Sequence, residues 1–281
     1  MAMETHHNGT EMEPSGAGPL LRRWRESRHL SQLDLALEAE VSARHISFLE
    51  TGRATPSREM LLALSNVLEV PLRERNTLLQ AAGYAPVYRE TSLDDPRMSH
   101  MRAAVELILK QHEPRSALAF DRHQDIVMAN AAFVKFVSAA LGKTPAGLTP
   151  LQVLAQPRLN LLHLMFDPNG FRKFVVNWEQ IAKSLLNEAY RSATWTRDKA
   201  MEKLIAEILA YSGVPARWRE PDLEAPSALI LPIEMNFGGK IARMFTTVTT
   251  VGRPQDVTLE ELHIEAFYPA DKETESMSFF S

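Results

Sequence analysis

The stretch from Gln32 to Leu49 constrains this chain more than any other. Ser31 can cap a helix through Ala39, with Asp34 in the capping-box position three residues later. Ser42 can cap a second helix that Gly52 stops. Two such helices joined by a tight turn and crossing steeply must bury residues at fixed offsets. The first needs an apolar and then a small residue where the second crosses, here Leu35, Ala36 and Ala39. The turn needs an apolar plug, Val41, and the second helix needs core residues one turn apart, Ile46 and Leu49. Glu40 falls where the turn favours glycine, and a side chain in a left-handed conformation costs about 1 kcal/mol.

This pair sits in a run of short helices over residues 19–83. Leu20, Leu21, Trp24 and Leu30 form an apolar stripe with arginines opposite. Pro56-Ser57 opens a further helix through Leu68, and another follows from Leu72 to Ala82, closed by Gly83. A chain of 281 residues suits two domains, and 45% apolar content suffices for a sizeable core. There is no cysteine, which excludes disulfides, thiolate zinc sites and a cysteine nucleophile, and fits a reducing cytoplasm. No apolar run approaches the roughly 20 residues of a membrane span. Residues 1–18 are polar and lack the apolar core of a signal peptide, so a disordered leader is expected there. The net charge is −4, yet seven arginines face five acids between Leu20 and Arg58.

The second helix of the pair carries Ser42, Ala43, Arg44, His45 and Ser47 on its polar side. A helix that enters the major groove needs such residues: arginine bonds bidentately to guanine, and serine reads a base or a phosphate. Gln32 is placed for a phosphate or base edge, Arg53 for a phosphate, and Glu50 for holding the helix end. Leu30-Ser31-Gln32, Leu35-Ala36, Val41-Ser42, Ile46-Ser47, Leu49-Glu50 and Gly52, continuing through Pro56-Ser57 and Leu61-Leu62-Ala63-Leu64, resemble the Xre-type helix-turn-helix. Glu40 is the departure, since that turn often carries glycine. The resemblance implies a five-helix, all-α head that binds an operator in double-stranded DNA, as a homodimer reading two half-sites about 34 Å apart.

Tyr84 to Met98, with Pro86 and Pro96, reads as a linker, and the remainder, residues 99–274, changes character. A helix is expected from Ser99 to His112, then short strands at Ser116–Asp121 and Ile126–Ala129 around a turn. Helices are expected at Ala131–Leu141, around Leu161–Met165, at Phe171–Tyr190 and at Arg197–Tyr211, with Gly142 to Pro157 as loop. Strands at Ala228–Asn236, Ile241–Val251 and Leu262–Tyr268 close the chain, the first two joined by the hairpin signal Gly238-Gly239. This order predicts an α+β domain with an antiparallel sheet and its helices gathered on one face, similar to a PAS-like sensor. Tyr84-Ala85-Pro86, Leu93 to Met98, Asp167-Pro168-Asn169-Gly170, Val175 to Trp178, Pro254 to Leu259 and Phe267 to Asp271 resemble signatures of the MmyB-like transcription regulators. The resemblance implies an Xre head followed by a PAS-related ligand-binding module, with neither catalysis nor a metal.

An apolar pocket with a few polar groups is what a small-molecule site requires. Phe133, Phe136, Leu161, Leu164, Met165, Phe171, Val175 and Trp178 supply the apolar part, with Asn130, His163 and Arg172 among them. The expected ligand is an elongated apolar compound such as a fatty acid, whose carboxylate Arg172 or His163 would meet. No cofactor is required. The alternative is a second domain that only dimerises or binds a protein partner. No HExxH, GxSxG, GxGxxG or P-loop supports an enzyme, and the Asp121, His123, Asp125 group falls in an expected turn.

Overall fold

The computed structural model describes residues 16–141, 159–220 and 230–277. The expected leader, apart from its last residues, and the expected loop from Gly142 to Pro157 lie outside them. The chain divides into two compact units: one runs to Glu90 and includes Gln255–Val257, the other comprises Thr91–Pro254 and the chain from Thr258.

The first unit contains α1 (Ala17–Ser27), α2 (Gln32–Glu38), α3 (Ala43–Glu50), α4 (Arg58–Val67) and α5 (Leu72–Ala81). α1 starts two residues inside the stretch expected to be leader. Ser31 caps α2 in a full capping box with Asp34, and Ser42 caps α3 by accepting from the His45 N–H. The turn between α2 and α3 places Glu40 at φ 55°, the left-handed position its sequence location predicted. Leu35, Ala36, Ile46 and Leu49 are buried with Leu21, Trp24, Leu64 and Leu68, and Ala39 and Val41 pack against them. The segment after α5 is held to the same unit, because the Asn76 side chain accepts from the Val87 and Tyr88 N–H groups and donates to the Tyr88 carbonyl.

The second unit begins with α6 (Ser99–Gln111), β1 (Ala117–Phe120), β2 (Ile126–Ala129) and α7 (Ala131–Leu141). It continues with α8 (Leu161–Phe166), a 3-10 turn at Phe171–Phe174, α9 (Trp178–Thr196) and α10 (Lys199–Leu209). β3 (Ile233–Phe237), β4 (Lys240–Thr250) and β5 (His263–Pro269) complete an antiparallel sheet of order β2-β1-β5-β4-β3. This is the PAS-like α+β domain expected from the sequence. Gly238 and Gly239, at φ 60° and 91°, make the two-residue turn between β3 and β4, which requires positive φ at both positions.

Two expectations are corrected. The helices are not all on one face of the sheet. Leu118 and Phe120 of β1 face a cluster with Phe133 and Val137 of α7, whereas Ala117 and Ala119 face Val105 and Leu109 of α6. β1 is therefore buried on both sides, and its alternating small and large residues fit the two covers. The helix expected over Phe171–Tyr190 is interrupted. Val175 bridges Met235, the Val176 N–H donates to the Glu234 carbonyl at 2.7 Å, and the Asn177 amide bonds Pro232 O and Glu234 N. Apolar periodicity reads as helix, but the open edge of β3 offers this segment backbone partners that a helix would forgo.

In the first unit, α1 touches α3 where no side chain fits. A Cβ on Gly18 would lie 2.4 Å from the Leu49 carbonyl oxygen and 2.8 Å from that of Glu50. Gly18→Ala is expected to destabilise this unit by about 1–3 kcal/mol, the usual cost of overpacking. Urea unfolding followed through Trp24 measures it, and an unchanged midpoint would contradict the close approach.

Candidate functional site

The first site is the exposed side of α3. Its scaffold is a buried ion pair: Arg25 donates to both oxygens of Glu50, at 2.6 and 3.0 Å, and also to the Leu30 carbonyl at 2.7 Å. Glu50 also accepts from the Gln32 amide at 2.9 Å. One carboxylate thus links α1, α2 and α3, and it holds the Arg25 guanidinium more firmly protonated than usual. Gln32, expected at a phosphate or base edge, spends its amide nitrogen on this link and stands half-buried at the start of α2.

Around this frame, Ser42, Arg44 and Arg53 are exposed, while Ala43, His45 and Ser47 are half-buried. The Ser42 hydroxyl is occupied as the cap of α3. Arg44 and Arg53 lie over the Phe48 ring, at 5.1 and 6.0 Å from its centre. Phe48 escaped the sequence reading. Its signal was an aromatic at the i+4 position from Arg44 on a short helix, where the ring can steer the guanidinium. The arrangement presents two guanidinium groups and a serine-capped helix N-terminus to solvent, a combination suited to phosphates and base edges.

The second site is a cavity in the second unit, between the sheet and α7, α8 and α9. Its volume is about 90 Å³. Since roughly 10–15 Å³ of such space holds one water, the room is for several waters or a short apolar chain. Phe133, Phe136, Leu161, Met165 and Phe171, five of the expected residues, line it, together with Leu162, Leu185, Ile233, Met235, Met244 and Phe267. Leu164 and Val175 are buried in the same core without lining the cavity.

The expected polar residues are elsewhere. Buried Asn130 accepts from the Ala117 and Phe133 N–H groups and donates to the Leu109 and Arg115 carbonyls, so it ties α6, β1 and α7 together. His163 meets the Tyr211 hydroxyl at 3.0 Å and Glu207 at 3.5 Å. Arg172 donates to the Ser212 and Gly213 carbonyls and lies 4.9 Å from the centre of the Trp178 ring, whose own N–H also reaches Gly213. His163, Arg172 and Trp178 therefore join the turn after α10 rather than the cavity. The polar groups that do line it are Ser116, Gln124 and Glu265. Glu265 projects from β5 between His263 and Phe267 and has a hydrogen bond to Thr246. Burial, against that bond and with added repulsion from Glu188, pushes its carboxyl up to about 7. An acid on the inward face of a strand was the available signal, but the face could not be told before the register was known.

Asp121, His123 and Asp125 shape the β1–β2 turn. Asp121 accepts from the His123 and Asp125 N–H groups, and His123 reaches Asp198, the cap of α10, at 2.9 Å. Among the described residues, no group of three or more metal-ligating side chains is gathered, and no helix is long and apolar enough to cross a membrane.

A helix-turn-helix whose second helix exposes an arginine, followed by a domain with an apolar cavity, defines a DNA-binding regulator with a ligand-binding module. A family model for the helix-turn-helix matches residues 21–75, and one for the MmyB-like transcription regulator ligand binding domain matches residues 101–278. The second match covers more than half of the chain, which belongs to the MmyB-like transcription regulators. Comparison with curated proteins gave no match.

A group whose carboxyl is raised binds its proton more tightly in the folded than in the unfolded chain, so its contribution to stability declines as pH rises between the two values. Relative to Glu265→Gln, the wild-type second unit should lose thermal stability as pH rises from about 4.5 to about 7 and then level off. A difference in melting temperature that is constant across this range would contradict the burial of this acid.

Proposed function

We propose that this chain is a cytoplasmic, dimeric transcription regulator that binds an operator through α3 and adjusts its DNA affinity to an apolar small molecule, a fatty acid or similar acyl compound, held in the second unit. The observation that carries the effector reading is the apolar cavity lined by Phe133, Phe136, Leu161, Met165 and Phe171. Each methylene buried there contributes about 0.8 kcal/mol, so an acyl chain needs few polar contacts. A ligand changes DNA affinity only by binding the DNA-competent and incompetent arrangements unequally. That requirement makes occupancy of the cavity the regulatory variable.

On the DNA side, Arg44 is the base-reading residue, Arg53 contacts a phosphate, and Ser42, Ala43, His45, Ser47 and Gln32 complete the surface. Arg44→Ala should weaken specific operator binding by about 1–3 kcal/mol while sparing non-specific affinity. A gel-shift titration with an unchanged specific curve would remove Arg44 from the recognition surface.

Native mass spectrometry of the purified protein, followed by organic extraction, tests the effector and the dimer together. An acyl compound at about one per chain in a dimer is the expected result. A protein that is empty, and stays empty when offered fatty acids, would favour the alternative of a domain that only dimerises or binds a protein partner. A monomer would overturn the dimer.

A further inference from the structure

Phe48 is a large aromatic side chain left half-buried on α3. Among the described residues it belongs neither to the buried core of the first unit nor to the groups packed against that core. What it touches are two arginines. Arg44 stands one turn before it on the same helix face, with its guanidinium 5.1 Å from the ring centre. Arg53 arrives by a different route. α3 ends with Gly52 at φ 74°, and the chain folds back there: the Gly52 N–H donates to the Leu49 carbonyl, and the Arg53 N–H to the Phe48 carbonyl at 2.9 Å. This is the Schellman arrangement, in which the residue after the glycine returns over the residue that accepts its N–H, normally as an apolar contact. Here the returning side chain is a guanidinium, 6.0 Å from the ring centre.

A ring attracts a cation through its face without supplying a lone pair, so the guanidinium keeps its N–H donors. Arg25 shows the contrast, since its donors are given to Glu50 and Leu30. Two long side chains restrained in this way lose less freedom when they meet DNA. We propose that Phe48 is a positioning residue of the DNA-binding surface, whose one ring restrains both Arg44 and Arg53 and so favours the operator over other DNA. This rests on the reading of α3 as the operator-binding helix.

The test uses the full chain and a duplex carrying the site that wild type enriches from a random-sequence pool, with a scrambled duplex of equal length as the non-specific probe. Phe48→Leu should bind the enriched site about fivefold or more weakly. Its affinity for the scrambled duplex and the salt slope should not change, because both cations remain. Phe48→Tyr, which keeps the ring, should restore the affinity. In an Arg44→Ala, Arg53→Ala background, Phe48→Leu should have little further effect. Wild-type preference in Phe48→Leu, equal losses on both duplexes, or a loss that persists without the two arginines would each overturn the assignment. Should Phe48→Leu not fold, ring-current shifts of the Arg44 and Arg53 side-chain protons in wild type decide, and values of free arginine would overturn it. If wild type enriches no site, the operator-binding reading falls, and this one with it.

Discussion

The DNA-binding unit depends on the Arg25–Glu50 ion pair. Apolar packing between three short helices sets a preferred range of crossing angles, with a scatter of about 15–20°. A bidentate guanidinium–carboxylate bond narrows that range, because its two parallel hydrogen bonds are directional. Glu50, at the end of α3, receives Arg25 from α1 and Gln32 from α2, so the helix that presents Arg44 is oriented by one buried group. Burying the pair is costly in itself, but removing one partner strands the other and costs about 3–5 kcal/mol. The pair therefore contributes geometry more than net stability. Gly18 complements it by letting α1 approach the carbonyls at the end of α3.

In the second unit, the sheet separates two environments. On one face, Ala117 and Ala119 let α6 lie close, and they are buried there with Val105, Leu109, Ile264 and Ala266. On the other face, larger aromatic and methionine side chains from α7, β3 and β4 meet without filling the space, and the cavity results. Polar groups at its margin are mostly committed to structure. Asn130 uses its whole hydrogen-bonding capacity on four backbone groups, and Asn160 caps α8 while tying it to the β1–β2 turn. Glu265 has a side-chain hydrogen bond to Thr246, and its raised affinity for a proton reflects a site where charge is poorly solvated.

Much of this was legible in advance because short-range physics governs it. The Ser31–Asp34 capping box, the left-handed Glu40, the hairpin at Gly238-Gly239 and the positions of β1, β2, β4 and β5 follow from local conformational preference and period-two or period-3.6 patterning, whereas β3 starts only at Ile233, later than the expected Ala228. The apolar cavity residues Phe133, Phe136 and Phe171 were readable for the same reason, being large groups on buried faces. The break at Val175 to Asn177 was not readable, because its cause is a β3 edge more than fifty residues further on. Likewise Arg172 and His163 have the right chemistry for a ligand head and lie among the right apolar neighbours, but they point away from the cavity.

Local patterning was enough to read a helix-turn-helix head joined to an α+β ligand-binding domain, the exposure of Ser42 and Arg44, and the placement of Phe133, Phe136 and Phe171 at the cavity. Those properties depend on spacing along one helix or strand. The packed fold was needed to show which polar side chain meets the cavity, that α6 covers the far face of the sheet, and that Arg53 joins Arg44 over the Phe48 ring. The physical reason is strand register. In a strand, a shift of one residue reverses every side chain, so Glu265 becomes a cavity acid only once β5 has paired with β1 and β4.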